Sequence, residues 1–417
     1  LNKVKLAIVV EKFPVLSQSF INRLVEELAK NTSLAVTIVT IYNVDFIKLK
    51  KQAPNLYSLY SSGQISILSS NSISKISRGM QLISSIVSYI PLLLLSKEFK
   101  NRSIFDFSLK LHAKAALMTR LMKNHEFDVM HGQFMDLTAY LVLAKTVNPN
   151  ISKKLFSTGR GVDISKYGIV TEKEVDLFEN SNAGVEKYFF VSESLKRIAV
   201  NKGVSESKCF VNYSGLDFNT LPEYNPPSNK STDSIKLIQV GRLVEKKGIL
   251  MSLSAILKLK DRYNIKLEVF GEGPLIGEAK RFVNKNKLED CVHFFGATHN
   301  SKCMSSISKS DIILVPSRTG ADGNSEGIPN VAKEAMALGC IVVASDHSGL
   351  PELIEHEKTG YLFEEGNLES YINTLELAIS QRHDWDNITR NAEFYVTENF
   401  SIKLLAQELV GHYVGDI

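Results

Sequence analysis

Two carboxylates with a telling separation are Glu326 and Glu334, eight positions apart. Glu326 closes a glycine-bearing loop and Glu334 lies inside the helical pattern that follows it. Eight residues is a little over two helical turns, so a tight bend of the loop brings both side chains to one side. Each carboxylate accepts two hydroxyl hydrogen bonds, so the pair can hold the diols of a ribose and of a second sugar. Unpaired N–H groups and the positive end of a helix dipole at the helix start suit a diphosphate between them.

The elements that must position this pair are readable on either side. Ile312 to Val315 is an apolar run stopped by Pro316, which predicts a buried parallel strand. A loop with Gly320, Gly323 and Gly327 leads to Pro329, and Asn330 to Leu338 predicts a helix closed by Gly339. Ile341 to Val343 is the next strand. In open sheets of this kind ligands bind beyond the carboxyl ends of the strands, which is where the loop stands.

Glu326 to Glu334 resembles the E-x7-E motif of retaining GT-B glycosyltransferases of the family 4-like group 1. ADGNSEGIPNVAKEAMALG and HSGLPELI resemble the subgroup that builds bacterial colanic-acid-type exopolysaccharides, capsules and O-antigens. The resemblance implies that Glu334 holds the ribose and Glu326 the donor sugar, with Gly327, Ile328, Asn330 and Val331 in the same donor loop. It implies that Arg242 and Lys247, in a G-R-L-x-x-x-K-G segment, reach the donor diphosphate. Chemistry agrees, because Arg offers a planar fork and Lys a point charge for the leaving phosphate. Gly271 and Gly273, in a G-x-G-P turn, are expected to let the backbone approach the nucleotide, and Ala297, past the strand Val292 to Gly296, to flank the base.

The acceptor side is expected in the first half of the chain. Val4 to Val10, a loop, a helix to about Lys30 and Ala35 to Tyr42 give a doubly wound opening. The loop lacks G-x-G-x-x-G, which disfavours a nicotinamide site. Phe13-Pro14 with Ser17 and Ser19 resembles the F-P-x-x-S-x-T-F opening of the subgroup, which puts Pro14, Ser17 and Ser19 near the acceptor. His131 resembles the first His of an H-x-H-F element, and Arg160 to Asp163 resembles H-G-x-D. Gln133 and Arg160 stand where the family has histidines; Arg160 stays protonated and is no base. His131, Arg160 and Asp163 are expected to border the acceptor, with His131, Arg242, Lys247 and Glu326 as the catalytic set.

Composition fits a soluble globular protein: 44% hydrophobic and 23% charged residues in 417. Residues 1–220 carry 28 Lys and Arg against 18 Asp and Glu; residues 221–417 carry 21 against 27. A basic first half beside an acidic second half suits an anionic membrane surface or a phosphate-linked acceptor at the first, and no nucleic acid is implied. Residues 82–95, LISSIVSYIPLLLL, are too short to span a bilayer and read either as a segment dipping into its surface or as a buried helix. Four scattered cysteines and a strand-like start point to a reducing cytoplasm. Asp384 and Asp386 spell D-x-D but follow no strand, so they read as surface or capping carboxylates, and no metal or other cofactor is expected.

These readings together predict a GT-B fold, two Rossmann-like doubly wound domains facing across a cleft. The first spans residues 1–218, a Pro-rich linker 219–234, the nucleotide-sugar domain 235–394, and a tail 395–417 returns to the first domain. The implied activity is retaining, metal-independent transfer from a UDP- or GDP-sugar to a saccharide acceptor linked to a polyprenyl diphosphate at the inner membrane face. An epimerase or phosphorylase on the same fold, or a silent nucleotide-sugar binder, remain open alternatives.

Overall fold

A computed structural model describes residues 3–15, 19–70, 114–165, 184–229, 234–321, 323 and 325–415. Residues 82–95 and Ser17 lie outside these, as does the side chain of Ser19. Two compact units are present: residues 1–191, 196–212 and 405–417 form the first, and residues 192–195 and 213–404 the second. The Pro-rich stretch that begins at 219 thus counts with the second unit, and residues 405–417 with the first.

The first unit holds a seven-stranded sheet. Its strands are β1 (Val4–Val10), β2 (Leu34–Thr40), β3 (Ile65–Ser69), β4 (Phe127–Gly132), β5 (Ser152–Gly159), β6 (Lys187–Phe190) and β7 (Cys209–Val211). Their order is β3-β2-β1-β4-β5-β6-β7, parallel throughout. Leu6 to Val10 are all fully buried, as a strand covered on both faces requires. The order reverses between β1 and β4, so the loops leaving those strands open the crevice where such sheets bind ligands.

The second unit repeats the plan with six strands: β8 (Ile235–Val240), β9 (Ile265–Phe270), β10 (Val292–Gly296), β11 (Ile312–Val315), β12 (Ile341–Ser345) and β13 (Tyr361–Phe363). Their order is β10-β9-β8-β11-β12-β13, again all parallel. Side chains alternate between two cores. Ile312, Leu314, Ile341 and Val343 join one, and Ile313, Val315, Val342 and Ala344 the other. Reversal falls between β8 and β11, whose following loops carry Lys247 and Glu326. The helix Asn330–Ala337 ends as its sequence predicts. Gly339 has φ +73°, and a Cβ there would lie 2.5 Å from the Asn225 carbonyl oxygen, so glycine is required for conformation and for space.

The C-terminal segment is two helices, Trp385–Asn399 and Ile402–Val414. The first packs Ala392 and Val396 into the second unit's core. Asp386 accepts a hydrogen bond from the Ser228 N–H at 2.9 Å, a structural use of that carboxylate. From 405 onward the last helix belongs to the first unit, where Tyr413 is fully buried.

Candidate active site

The second unit gathers its charged residues at the switch point of its sheet. Beyond β8 the chain makes a short 3-10 turn, Glu245–Lys247, and Gly248 takes φ +63°. A Cβ at Gly248 would sit 2.2 Å from the Pro316 carbonyl oxygen, so this glycine lets the turn lie against the end of β11. The buried Gln239 side chain donates to the Lys247 carbonyl at 2.7 Å, and the Arg318 N–H donates to the Lys246 carbonyl at 3.0 Å. Both lysines then point their charge at one carboxylate. Lys247 Nζ is 2.5 Å from Glu326 Oε2 and Lys246 Nζ is 3.3 Å from Oε1.

Glu326 is only 15% exposed at its side chain. Burial pushes its pKa up, but the ammonium groups of Lys247 and Lys246 outweigh that, and the carboxyl is held below its ordinary value. It is therefore ionised at neutral pH. Glu334 is buried in the following helix. At the head of that helix Asn330 Oδ1 is buried without a hydrogen-bond partner among the described residues, and so are Ser317 Oγ and Ser348 Oγ beyond β11 and β12. Buried polar atoms are normally paired, so these mark a place built for a polar group. Arg242 is exposed and has no ion-pair partner among the described residues.

Several expected donor residues have close partners in the scaffold. Gly271 and Gly273, expected to give a ligand room, lie against backbone. A Cβ at Gly271 would lie 1.9 Å from the Gly241 carbonyl oxygen, and one at Gly273 2.4 Å from that of Leu243. The close approach is to the strand β8 loop itself, which these glycines let settle beside Arg242. Ile328 is 9% exposed and packs in the core, with Val331 beside it and Gly327 buried. Ala297 is exposed just past β10, where the Gly271 N–H donates to the Gly296 carbonyl at 2.8 Å.

Three residues that sequence reasoning passed over complete the arrangement. His347 is 3% exposed; its Nδ1 is 2.9 Å from Glu365 Oε2, and its Nε2 is 3.5 Å from the backbone N of Glu326. Glu365 also accepts from the Thr319 N–H at 2.6 Å. Lys246 likewise went unread beside Lys247. The HSGLPE segment held a signal for His347, since it continues in register from the Glu326 helix, but nothing local marks its partners.

In the first unit, His131 stands at the end of β4 and is fully buried. Its Nδ1 lies 2.7 Å from the Tyr413 hydroxyl and its Nε2 2.7 Å from the Thr158 hydroxyl. Burial, with the nearby Arg160 charge, pushes its pKa down to about 3. Both ring nitrogens are thus committed, and the ring fastens the last helix to the sheet. Arg160 Nη2 donates to Gln133 Oε1 at 2.6 Å and its Nε to the Gln133 carbonyl at 3.1 Å. The two positions where the chain departs from the family's histidines are therefore each other's partners. The Arg160 guanidinium also covers the Phe20 ring, 4.4 Å from its centre. Asp163 is buried and accepts from the N–H groups of Met135, at 2.8 Å, and Arg160, at 3.0 Å. Burial raises its pKa despite those donors and the Arg160 charge. Pro14 is buried in the loop after β1.

Residues 222–393 match the family of glycosyl transferases group 1. The chain is 34% identical over 224 residues to the amylovoran biosynthesis glycosyltransferase AmsK of Erwinia amylovora, covering 53% of this chain and 54% of that protein. It is 31% identical over 269 residues to the putative colanic acid biosynthesis glycosyltransferase WcaL of Escherichia coli K12, covering 62% and 64%. The match thus spans between half and two thirds of these relatives. A glycosyltransferase from Rickettsia africae superposes with a TM-score of 0.71 at 18% identity, over 99% of this chain and 98% of that one. Anabaena Alr3699/HepE, solved in complex with UDP, superposes with a TM-score of 0.70 at 15% identity, over 99% and 100%. The fold is that of GT-B glycosyltransferases.

Proposed function

Because residues 222–393 match the family of glycosyl transferases group 1, we propose that the chain moves a sugar from a nucleotide-sugar donor to a saccharide acceptor in the assembly of a bacterial surface polysaccharide. The observation that carries this reading is the meeting of Lys246 and Lys247 with Glu326 at the switch point of the second sheet. Lysines so placed suit a diphosphate, and a carboxylate beside them suits the hydroxyls of the sugar it carries. HepE was solved with UDP, which supports a nucleotide as the ligand here.

In this reading the donor diphosphate recruits Lys247, Lys246 and the exposed Arg242, while Glu334 takes the ribose. A diphosphate that engages the lysines releases Glu326 to accept from the donor sugar. The acceptor oxygen attacks C1 on the face that the phosphate leaves. The C1–O bond to phosphate breaks, and the departing phosphate oxygen takes the acceptor proton, so configuration is retained without an enzymatic nucleophile. The lysines and Arg242 stabilise the charge that develops on the diphosphate, the role a metal fills elsewhere. Asp163 and Arg160 border the acceptor, a saccharide carried on a polyprenyl diphosphate at the inner membrane face. His131 is left out of the chemistry, because both its nitrogens are occupied.

Hydrolysis of UDP- and GDP-sugars without acceptor tests the reading. We expect slow release of sugar that survives excess chelator and falls about 10²-fold in Lys247→Ala, the loss typical of removing a preorganised charge from a developing anion. Interconversion of the donor sugar would indicate an epimerase. Nucleotide binding with no turnover of any donor would indicate a silent binder.

A further inference from the structure

The loop between β11 and the helix Asn330–Ala337 is fastened at both ends by a single carboxylate that lies outside it. Glu365 stands in the turn after β13. Its Oε1 accepts from the Thr319 N–H at 2.6 Å, near the start of the loop. Its Oε2 is 2.9 Å from His347 Nδ1, and His347 Nε2 faces the Glu326 N–H, at 3.5 Å, near the end of the loop. With Nε2 facing the Glu326 N–H as acceptor, Nδ1 is the nitrogen that donates to Glu365. Glu365 is itself fixed, because its N–H donates to Asp346 Oδ1 at 2.7 Å. Burial raises the Glu365 pKa, but the Thr319 N–H and His347 outweigh it and hold the carboxyl below its usual range. The start of the loop has a second fastening through Glu245, which pairs with Arg318 at 2.9 Å. At its Glu326 end the described contacts are those of His347 and the two lysines.

We propose that Glu365 and His347 are positioning residues that set where Glu326 presents its carboxylate, and so govern recognition of the donor sugar rather than of the diphosphate. The inference rests on Glu326 facing the sugar. His347 meets Glu326 at its backbone N–H, so its influence on the carboxylate passes through that residue. An acceptor that is rigidly held within about 0.5 Å of its working place depends on such support. A network that acts through one group is also non-additive with loss of that group.

The test is a double-mutant cycle on ligand discrimination. UDP and UDP-glucose, and in parallel GDP and GDP-mannose, are titrated into the wild type, Glu365→Ala, His347→Ala, Glu326→Gln and the combinations. Glu365→Ala and His347→Ala are expected to leave diphosphate affinity within about twofold and to weaken the corresponding nucleotide sugar about tenfold. In the Glu326→Gln background the same substitutions should add less than about twofold, which general destabilisation would not produce. Full additivity, or equal weakening of diphosphate and sugar nucleotide, overturns the proposal. A Glu326→Gln variant that itself discriminates like the wild type overturns the donor reading instead. Amide exchange in residues 316–329 serves as a second arm, needing no ligand: both variants should speed it at least tenfold with the melting of the second unit kept within a few degrees. Unchanged exchange contradicts the clamp even if no nucleotide binds.

Discussion

Glu326 has the lysines as partners already, and that alters what its removal should do. In the proposed reading, taking away the carboxylate frees two cations for phosphate and deletes the acceptor for the donor sugar. Glu326→Gln is therefore expected to bind a free nucleoside diphosphate several-fold more tightly than the wild type and the matching nucleotide sugar more weakly. Calorimetric titration with both ligands reads the two signs, and weakening of the diphosphate would show that the lysines need Glu326 to be held in place. His131 makes a different kind of prediction. Its folded pKa of about 3 lies below the ordinary 6.5, so between those values the unfolded chain binds a proton that the native chain does not. Stability from this group is complete above pH 6.5 and is lost as pH falls towards 3, by about 1.4 kcal/mol per unit. Denaturant melts of the first unit should show that acid slope, and His131→Asn should flatten it. The motif that exposed His131 in the sequence gave its type but not its use, since its partner Tyr413 is 282 positions away.

Short elements carry the site, and each was legible to the extent that its determinants are local. β11, the helix Asn330–Ala337 and Gly339 follow from an apolar run, a start after Pro329 and a left-handed stop. Lys247 and Glu326 could be named because each sits in a short motif. Lys246 and Glu365 could not, and the segment that marks His347 did not show its partners, because these contacts arise only when β8, β11, β12 and β13 lie side by side. Gly271 and Gly273 were legible as positions that need glycine, whereas the neighbour that needs the space is another loop. Gly248 tests how tightly that packing is set. Its φ of +63° and the 2.2 Å from an added Cβ to the Pro316 carbonyl oxygen make Gly248→Ala strained in backbone and in space. A loss of about 2–4 kcal/mol in the second unit is expected on chemical denaturation. A loss below about 0.5 kcal/mol would mean that the lysine turn shifts freely, and that its alignment with Glu326 is not fixed by this contact.

Across the whole chain charge is uneven, +10 over residues 1–220 and −6 over residues 221–417. Among the described residues no helix is long and apolar enough to cross a membrane. A basic unit beside an acidic one suits attraction to an anionic surface through the first alone. Co-sedimentation with vesicles should rise with the anionic lipid fraction and fall between 50 mM and 500 mM salt, as Debye screening requires. Binding indifferent to lipid charge would leave the asymmetry a matter of solubility. The repeat of one plan in both units was legible from alternating strands and helices, and the switch points then placed the loops. The identity of the sugar and of the acceptor was not legible, because no motif in the sequence specifies it.

The central claim is that the lysine turn after β8 and Glu326 after β11 form a nucleotide-sugar site. Calorimetric titration of UDP and of GDP into the wild type and Lys247→Ala tests it most directly. Binding of at least one diphosphate to the wild type, weakened at least tenfold in Lys247→Ala, is the result expected of a charged donor in contact with phosphate. Absence of binding by either nucleotide, or equal affinity in the two proteins, would contradict the assignment of this cluster as the donor site.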